Sequence, residues 1–325
     1  MRHFISGDIG GTKTRLALVA VEGTRVSIVH EHTYPSREFA DFADVLANFA
    51  RQVTLPEAAA FGVAGQIHGR VARTTNLDWV IDAAALEARF GLRRVGLLND
   101  LEATAWGIAA LDERDVLTLH AGQAGAQGNC AVIAAGTGLG EAGLYWDGRQ
   151  HRPYATEGGH VSFSPASADE FALLNYLQAR HGHVSWERVV SGMGIVNLHA
   201  FLREHHGTPA PVWLAEKFSQ GDAAAAISAA ALAGRDAICV ETMQWFVRLY
   251  GAEAGNLALK SMSRGGIYVG GGIAPKILPL LQSGAFMAAF LNKGRMRPLL
   301  EAMPVKIILN DRTALFGPAL FAANS

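Results

Sequence analysis

The sequence predicts an α/β protein of two domains, each built on the same β-β-β-α-β-α-β-α unit. Three observations carry this. The 325 residues exceed what one hydrophobic core usually organises. Apolar runs with strand-forming composition alternate with segments of helical periodicity in the first half of the chain. Two stretches, Ile9-Gly10-Gly11-Thr12 and Ala135-Gly136-Thr137-Gly138, share one pattern: strand, Gly/Thr turn, strand. Tight turns in corresponding positions point to a duplicated unit.

The elements follow in order. His3–Ser6, Leu16–Val21 and Val26–Tyr34 read as strands, with Glu22-Gly23-Thr24 turning between the last two. Pro35 closes the run, and Arg37 to Gln52 carries Phe39, Phe42, Val45, Leu46 and Phe49 at helical spacing. Ala58–Val63 is a fourth strand, and residues 67–82 form an inserted hairpin or loop. Asp82 caps a helix through Phe90 that Gly91 ends. Arg94–Leu98 is a fifth strand running into Asn99-Asp100, and Ala103–Leu111 is helical. The pattern restarts with strands Cys130–Ala135 and Leu139–Trp146. The second half is mainly helical: Ala168–Arg180, Gly192–Glu204 behind a Ser191 cap, and one long helix from Asp222 to about Leu249. Gly265–Gly272 is a strand ending in glycines, Pro275 opens a helix that Ser283-Gly284 ends, Val305–Leu309 is the last strand, and 312–322 the last helix.

Composition narrows the function. Half the residues are hydrophobic and 18% charged, which fits a folded globular chain. Net charge is −1 and no basic block occurs, so nucleic acid is not an expected partner. Two cysteines, Cys130 and Cys239, with no local pair, exclude a disulfide framework and a four-thiolate zinc site and fit a reducing cytoplasm. The run Ala223–Ala233 is far short of the roughly 20 residues of a membrane span, and neither terminus reads as a signal, anchor or address.

The glycine turns suggest anion binding. Gly7-Asp8-Ile9-Gly10-Gly11-Thr12-Lys13-Thr14 superficially matches a P-loop, but Thr12 stands where the second glycine belongs and a strand follows where a helix should. A turn whose glycines let several N–H groups converge still suits a phosphate; a plain hairpin turn is the simpler alternative. Asn99-Asp100 lies just past a strand end, where open α/β sheets bind ligands. Asp100 either accepts a proton from a substrate hydroxyl or caps the following helix. Glu157-Gly158-Gly159-His160 is either a polar-ligand loop or a turn with two solvated side chains, and Glu187-Arg188 by itself reads as a surface pair. His181, His183, His205 and His206 lack a third ligand at metal spacing, and His30 and His32 alternate on a strand facing water. Together, two phosphate turns, an Asp at a strand end and a Glu/His loop suit phosphoryl transfer from a nucleotide to a polyol.

These motifs resemble those of the bacterial glucokinase family, within the hexokinase–actin–Hsp70 superfamily. Gly7 to Thr12 resembles its first phosphate motif, Leu98-Asn99-Asp100 its catalytic-aspartate motif, and Ala135 to Gly140 its second phosphate motif. Glu157-Gly158-Gly159-His160-Val161 and Glu187 to Gly192 resemble its sugar-binding stretches, and Gly270-Gly271-Gly272-Ile273-Ala274-Pro275 its adenosine stretch. Lys293-Gly294-Arg295 and Leu315-Phe316-Gly317 are also similar. Lys13 departs from the pattern towards the related ROK (repressor, ORF, kinase) family. That family's cysteine-rich zinc motif is absent, and too few residues precede Asp8 for its DNA-binding helices.

The resemblance implies two RNase H-like lobes with a cleft between, in the actin-like ATPase and sugar kinase architecture. The small domain would be 1–110 plus 302–325, the large one 111–301. It implies ATP-dependent phosphorylation of D-glucose at the 6-hydroxyl, feeding glycolysis, in a cytoplasmic homodimer. Asp100 would be the general base, and Asn99, Asp100, Glu157, His160 and Glu187 would bind the sugar. Gly7, Asp8, Ile9, Gly10, Gly11, Thr12, Gly136, Thr137, Gly138, Gly271 and Gly272 would hold ATP, with Asp8 facing Mg²⁺ through water. A sugar-sensing regulator with a decayed site would have lost Asp100 or a phosphate turn, and neither is lost. A kinase for another hexose, such as mannose or N-acetylglucosamine, differs only in side-chain placement.

Overall fold

The computed structural model describes all 325 residues, in two compact units. One comprises Met1–Asp115, Arg152–Ala155 and Asn310–Ser325; the other comprises Val116–His151 and Thr156–Leu309.

The first unit opens with β1 (Arg2–Ile9), β2 (Lys13–Glu22) and β3 (Arg25–Pro35), an antiparallel meander. After α1 (Phe42–Ala50), β4 (Ala58–Val63) pairs parallel to β1. The inserted segment is a small antiparallel sheet of β5 (Gly65–His68), β6 (Val71–Thr74) and β7 (Val80–Asp82). Helix α2 (Ala83–Phe90) is capped by Asp82, which accepts the N–H groups of Ala84 and Ala85, and ends at Gly91, whose φ is 67°. Strand β8 (Arg94–Asn99) then pairs parallel to β4, giving the order β3-β2-β1-β4-β8, and α3 (Asp100–Gly107) follows it.

Strand alternation divides the buried side chains between the two sheet faces. Ile5, Ile9, Phe61 and Val63 join Phe42, Val45, Leu46 and Phe49 of α1. Phe4, Ala17, Val19 and Ala60 join Leu315, Ala319 and Leu320 of α12 (Thr313–Asn324).

The second unit repeats this plan. β10 (Cys130–Ala135) pairs antiparallel with β11 (Leu139–Trp146) and parallel with β13 (Gly266–Gly270), which pairs parallel with β14 (Val305–Ile308). These are the relations of β1, β2, β4 and β8, so the duplication anticipated from the two Gly/Thr turns is present. β9 (Val116–His120) adds an antiparallel edge to β14 that the sequence did not signal. After strand β12 (His151–Ala155), of which Arg152–Ala155 belong to the first unit, come the helices α4 (Ala168–His181), α5 (Gly192–His205), α6 (Val212–Ser219), α7 (Ala223–Leu232) and α8 (Ala237–Lys260). The core is built around α8, with Phe246, Tyr250, Ala254 and Ala258 buried among Ile133, Ile267 and Val269.

Several boundaries differ from expectation, each for a local reason. β1 continues through Ile9 because its ladder to β2 persists to the pair Ile9–Thr14, so only Gly10–Thr12 turn. Residues 37–52 are not one helix. Ser36–Glu38 is a single 3₁₀ turn, Phe39 is extended, and α1 begins after Asp41, which accepts the Asp44 N–H at 2.8 Å. The expected long helix from Asp222 is two helices at 102°, because Gly234 takes φ 62° and Asp236 caps a new start. Pro275 opens only a 3₁₀ turn, Ala274–Ile277, followed by the four-residue α9 (Leu278–Leu281) and then by α10 (Ala285–Leu291) and α11 (Arg297–Glu301). No single helix is long and apolar enough to cross a membrane.

Helices α12 and α3 cross at backbone contact. A Cβ at Gly317 would lie 1.6 Å from the Ala103 carbonyl oxygen, and one at Gly107 would lie 2.1 Å from that of Thr313. Gly317→Ala should therefore destabilise the protein by about 3 kcal/mol, the upper end for an overpacked core. Urea unfolding reads this as a lowered midpoint at unchanged slope; a wild-type midpoint would contradict the contact.

Candidate active site

The three parallel strands of the first sheet end in register: Ile9 pairs with Val63, and Val63 with Asn99. The turn after β1 and the start of α3 therefore stand at the same sheet edge, two strand spacings or about 10 Å apart. Carboxyl ends of parallel strands are where α/β sheets bind ligands.

The Gly10–Thr12 turn is braced from behind. Gly10 N–H donates to the Lys13 carbonyl at 3.0 Å, and Ser36 N–H to that of Thr12 at 3.0 Å. Ser36 Oγ donates to the Gly10 carbonyl at 2.8 Å and stands 2.9 Å from Thr14 Oγ1. These bonds leave the amides of Gly11 and Thr12 outside the backbone network, as an anion-binding turn requires. Gly11 is needed because a Cβ would lie 2.7 Å from that of Asn76. Gly7 and Ile9 play a different part: both are buried in β1, where a Cβ on Gly7 would strike Leu16 and Phe61. They carry the turn but do not line it.

Asp8 is partly buried at the end of β1. Burial raises its carboxyl above the usual range, opposed by Arg15, whose Nη2 lies 3.4 Å from Asp8 Oδ2. Arg15 is shared with Asp311, 3.3 Å from its Nη1. Asp8 thus has a distant, divided positive partner, and a hydrated divalent cation suits such a lone carboxylate.

The helix cap after β8 is Asn99, not Asp100. Asn99 Oδ1 accepts the N–H groups of Leu101 at 2.9 Å and Glu102 at 3.4 Å, so α3 begins three residues earlier than expected, at Asp100. This leaves the Nδ2 donors of Asn99 for a ligand. Asp100, partly exposed, is the first helical residue, and its Oδ1 also accepts the Leu101 N–H. Gly62 on β4 lets α3 settle here, since a Cβ there would lie 2.7 Å from Ala103 Cβ.

In the second unit, the Gly136–Gly138 turn closes through Gly136 N–H to the Gly138 carbonyl at 2.9 Å. Gly192 N–H, at the start of α5, donates to the Gly136 carbonyl at 2.8 Å, bringing a helix N-terminus to the turn. The glycines after β13 stand beside it. Ala134 pairs with Gly270, and Gly271, with φ 82°, passes so close to Ala135 that a Cβ would lie 2.2 Å from its carbonyl oxygen. Tyr250 Oη, buried, accepts the Ala135 N–H at 3.1 Å and is 3.2 Å from the Gly270 carbonyl.

Glu187 is not half of a surface pair. Its Oε2 accepts the Leu139 N–H at 3.0 Å, and this approach exists only because residue 138 lacks a Cβ, which would sit 2.3 Å from that oxygen. Arg188 turns instead to Met193 Sδ. His160 stands between two carboxylates, 4.0 Å from Glu187 Oε1 and 3.9 Å from Glu157 Oε2. Glu157, His160 and Glu187 thus form one polar cluster beside the second glycine turn.

The other histidines keep structural or solvated roles. His183 meets Ser162, and His206 meets Glu241. His199, Asp236 and Cys239 lie close enough to share an ion, but a cation is already there. Arg203 donates through Nε to His199 Nε2 at 3.1 Å and pairs through Nη2 with Asp236 at 2.6 Å. Burial lowers the His199 pKa to about 4. Sequence reasoning missed Ser36 and Tyr250, since a serine after a strand and a tyrosine within a helix carry no spacing signal.

The family model described as glucokinase matches residues 5–325. The glucokinase of Nostoc punctiforme is 42% identical over 339 residues, covering 99% of each chain. The crystal structure of a glucokinase from an Antarctic psychrotroph superposes with TM-score 0.88 at 31% identity, over 100% of both chains. A ROK family glucokinase from Streptomyces griseus, in complex with glucose and AMPPNP, shares the fold with TM-score 0.69 at 23% identity, over 99% of this chain and 100% of that one.

The link from Gly138 to Glu187 is directly testable. Gly138→Ala should displace the Glu187 carboxylate and free the Leu139 amide, raising its hydrogen-exchange rate by about tenfold or more, the equivalent of one charge-assisted hydrogen bond. Unchanged exchange at Leu139 would show that Glu187 does not hold the turn.

Proposed function

The chain belongs to the glucokinase family, and on that premise we propose that it transfers the γ-phosphoryl group of ATP to the 6-hydroxyl of D-glucose. The in-register strand ends at Ile9, Val63 and Asn99 carry this reading, since they bring a phosphate turn and a carboxylate to one sheet edge. A mostly dissociative phosphoryl transfer leaves the protein to position the reactants and neutralise charge.

In this proposal Gly11 and Thr12 hold phosphates through backbone N–H groups in the turn that Gly10 closes, and Thr137 and Gly138 do the same in the turn that Gly136 closes. Gly271 and Gly272, exposed beside the second turn, accommodate the nucleoside. Asp100 accepts the proton of the 6-hydroxyl as the oxygen bonds to phosphorus. Asn99 donates from Nδ2 to a ring hydroxyl, while Glu157 and Glu187 accept from others and His160 completes the cluster. Mg²⁺ would be held through water by Asp8 and would supply charge neutralisation at the phosphates. We further propose a cytoplasmic homodimer, with the two units as its small and large domains. The names and ligands of the relatives support glucose and ATP as substrates.

Asp100→Asn keeps shape and helix start but removes the base. Turnover should fall by about 10²–10⁴, the usual contribution of a positioned base, with glucose affinity little changed. Parallel measurement of kcat and of glucose binding by calorimetry separates the two; a variant that turns over like wild type removes Asp100 from the chemistry.

A further inference from the structure

A buried carboxyl outside the residues assigned above lies directly beneath the Glu157–His160 loop. Glu141 on β11 is 1% exposed, and its Oε2 presses on Gly158 so closely that a Cβ there would lie 1.9 Å away. The backbone at Glu141 holds the same loop: its carbonyl accepts Thr156 Oγ1 at 2.9 Å, and Thr156 Oγ1 in turn accepts the Gly158 N–H at 3.2 Å. The loop is then fixed by its own short turn, His160 N–H to the Glu157 carbonyl and Val161 N–H to that of Gly158. On its inner side Glu141 meets α8, where Glu253 is wholly buried.

We propose that Glu141 is a positioning residue for the sugar loop: wedged between Gly158 and the buried Glu253 of α8, its carboxyl sets where Glu157 and His160 stand. This rests on the reading of that loop as the glucose site.

The surroundings decide which protonation state does this. Glu253 is balanced by Lys260, 3.0 Å from its Oε1, and by Asn256 Nδ2, 2.7 Å from its Oε2. Lys293, bonded to Asn256 Oδ1 at 2.6 Å, and the Tyr250 hydroxyl are the other titratable groups near the pair. On the remaining sides stand Ile133 of β10, opposite Glu141 in the ladder, and Gly158, neither of which titrates. Glu253 therefore takes up the nearby positive charge. Glu141 Oε1 is buried without a hydrogen-bond partner. A proton on Glu141 relieves both the orphaned oxygen and the repulsion between carboxylates. Burial, then Glu253, raises its pKa from 4.5 to about 8. The folded protein thus binds a proton that the unfolded chain has released, so stability falls as pH rises from about 4.5 to about 8 and levels off above. Above that range the ionised carboxyl is repelled by Glu253 and shifts the loop.

Three measurements on the full-length protein test this, comparing wild type with Glu141→Gln, which stays neutral at every pH, and Glu141→Ala, which removes the wedge. Wild-type glucose affinity should weaken between pH 7 and 9. Glu141→Gln should match wild type at pH 7 and stay flat to pH 9. Glu141→Ala should bind glucose about ten- to a hundredfold more weakly at both, a cost typical of a displaced binding group. Without sugar, hydrogen exchange at Gly158–Val161 should be faster in Glu141→Ala than in Glu141→Gln. Equal exchange in the two variants, or the same pH profile in wild type and Glu141→Gln, would overturn the positioning role. If exchange differs as expected while wild type binds no glucose, the positioning role stands and the glucose assignment falls.

Discussion

Parallel strands that stop on one line determine much of what the first unit can do. Because β1, β4 and β8 end together at Ile9, Val63 and Asn99, the chain leaves the sheet at neighbouring points, once as a tight turn and once as a helix. A turn after a strand leaves its N–H groups open to a ligand, whereas the unpaired N–H groups of a helix start also draw a side-chain cap. Asn99 settles that difference by capping α3 itself, so Asp100 enters the helix as its first residue rather than serving as its cap. The sheet edge therefore offers donors at one point and a carboxylate at the other, the pairing that phosphoryl transfer to an alcohol requires.

The second unit reaches a related arrangement by removing side chains. Gly138 admits Glu187, Gly158 admits Glu141, and Gly159 passes so near Leu139 that a Cβ would lie 2.0 Å from its carbonyl oxygen. These glycines are required for approach, not for unusual dihedrals, since none of the three has positive φ. The Glu157–His160 loop, the Gly136–Gly138 turn and β11 consequently touch through backbone and carboxyl oxygens. A displacement in one has little slack to absorb it in the others. The charged groups are distributed accordingly: Glu187 accepts a backbone amide, Glu253 is paired with Lys260, and Glu141 is left as the neutral member.

Much of this was legible in the chain. The turns at Gly10–Thr12 and Gly136–Gly138 follow from local composition, as does the Asp82 and Gly91 bracket of α2, although β1 runs on past its expected end at Ser6 and β2 starts before Leu16. What could not be read depends on tertiary contact. Phe39 has helical spacing, yet its ring meets Tyr34 from an extended backbone, because packing overrode periodicity. The break between α7 and α8 turns on one glycine, Gly234, in an alanine-rich run where a straight helix also fits the pattern. Glu187 looked like a surface residue beside Arg188, and only the missing side chain at Gly138 explains its inward turn. Glu141 carries no sequence signal, since a glutamate on a strand ordinarily faces water.

The carboxylate edge of the first unit and the Glu/His cluster of the second are each proposed to contact glucose. Hydrogen exchange with glucose present and nucleotide absent checks both assignments: exchange should slow in 98–103 and in 155–161 on sugar binding. A segment whose exchange is unchanged despite demonstrated binding would contradict its assignment.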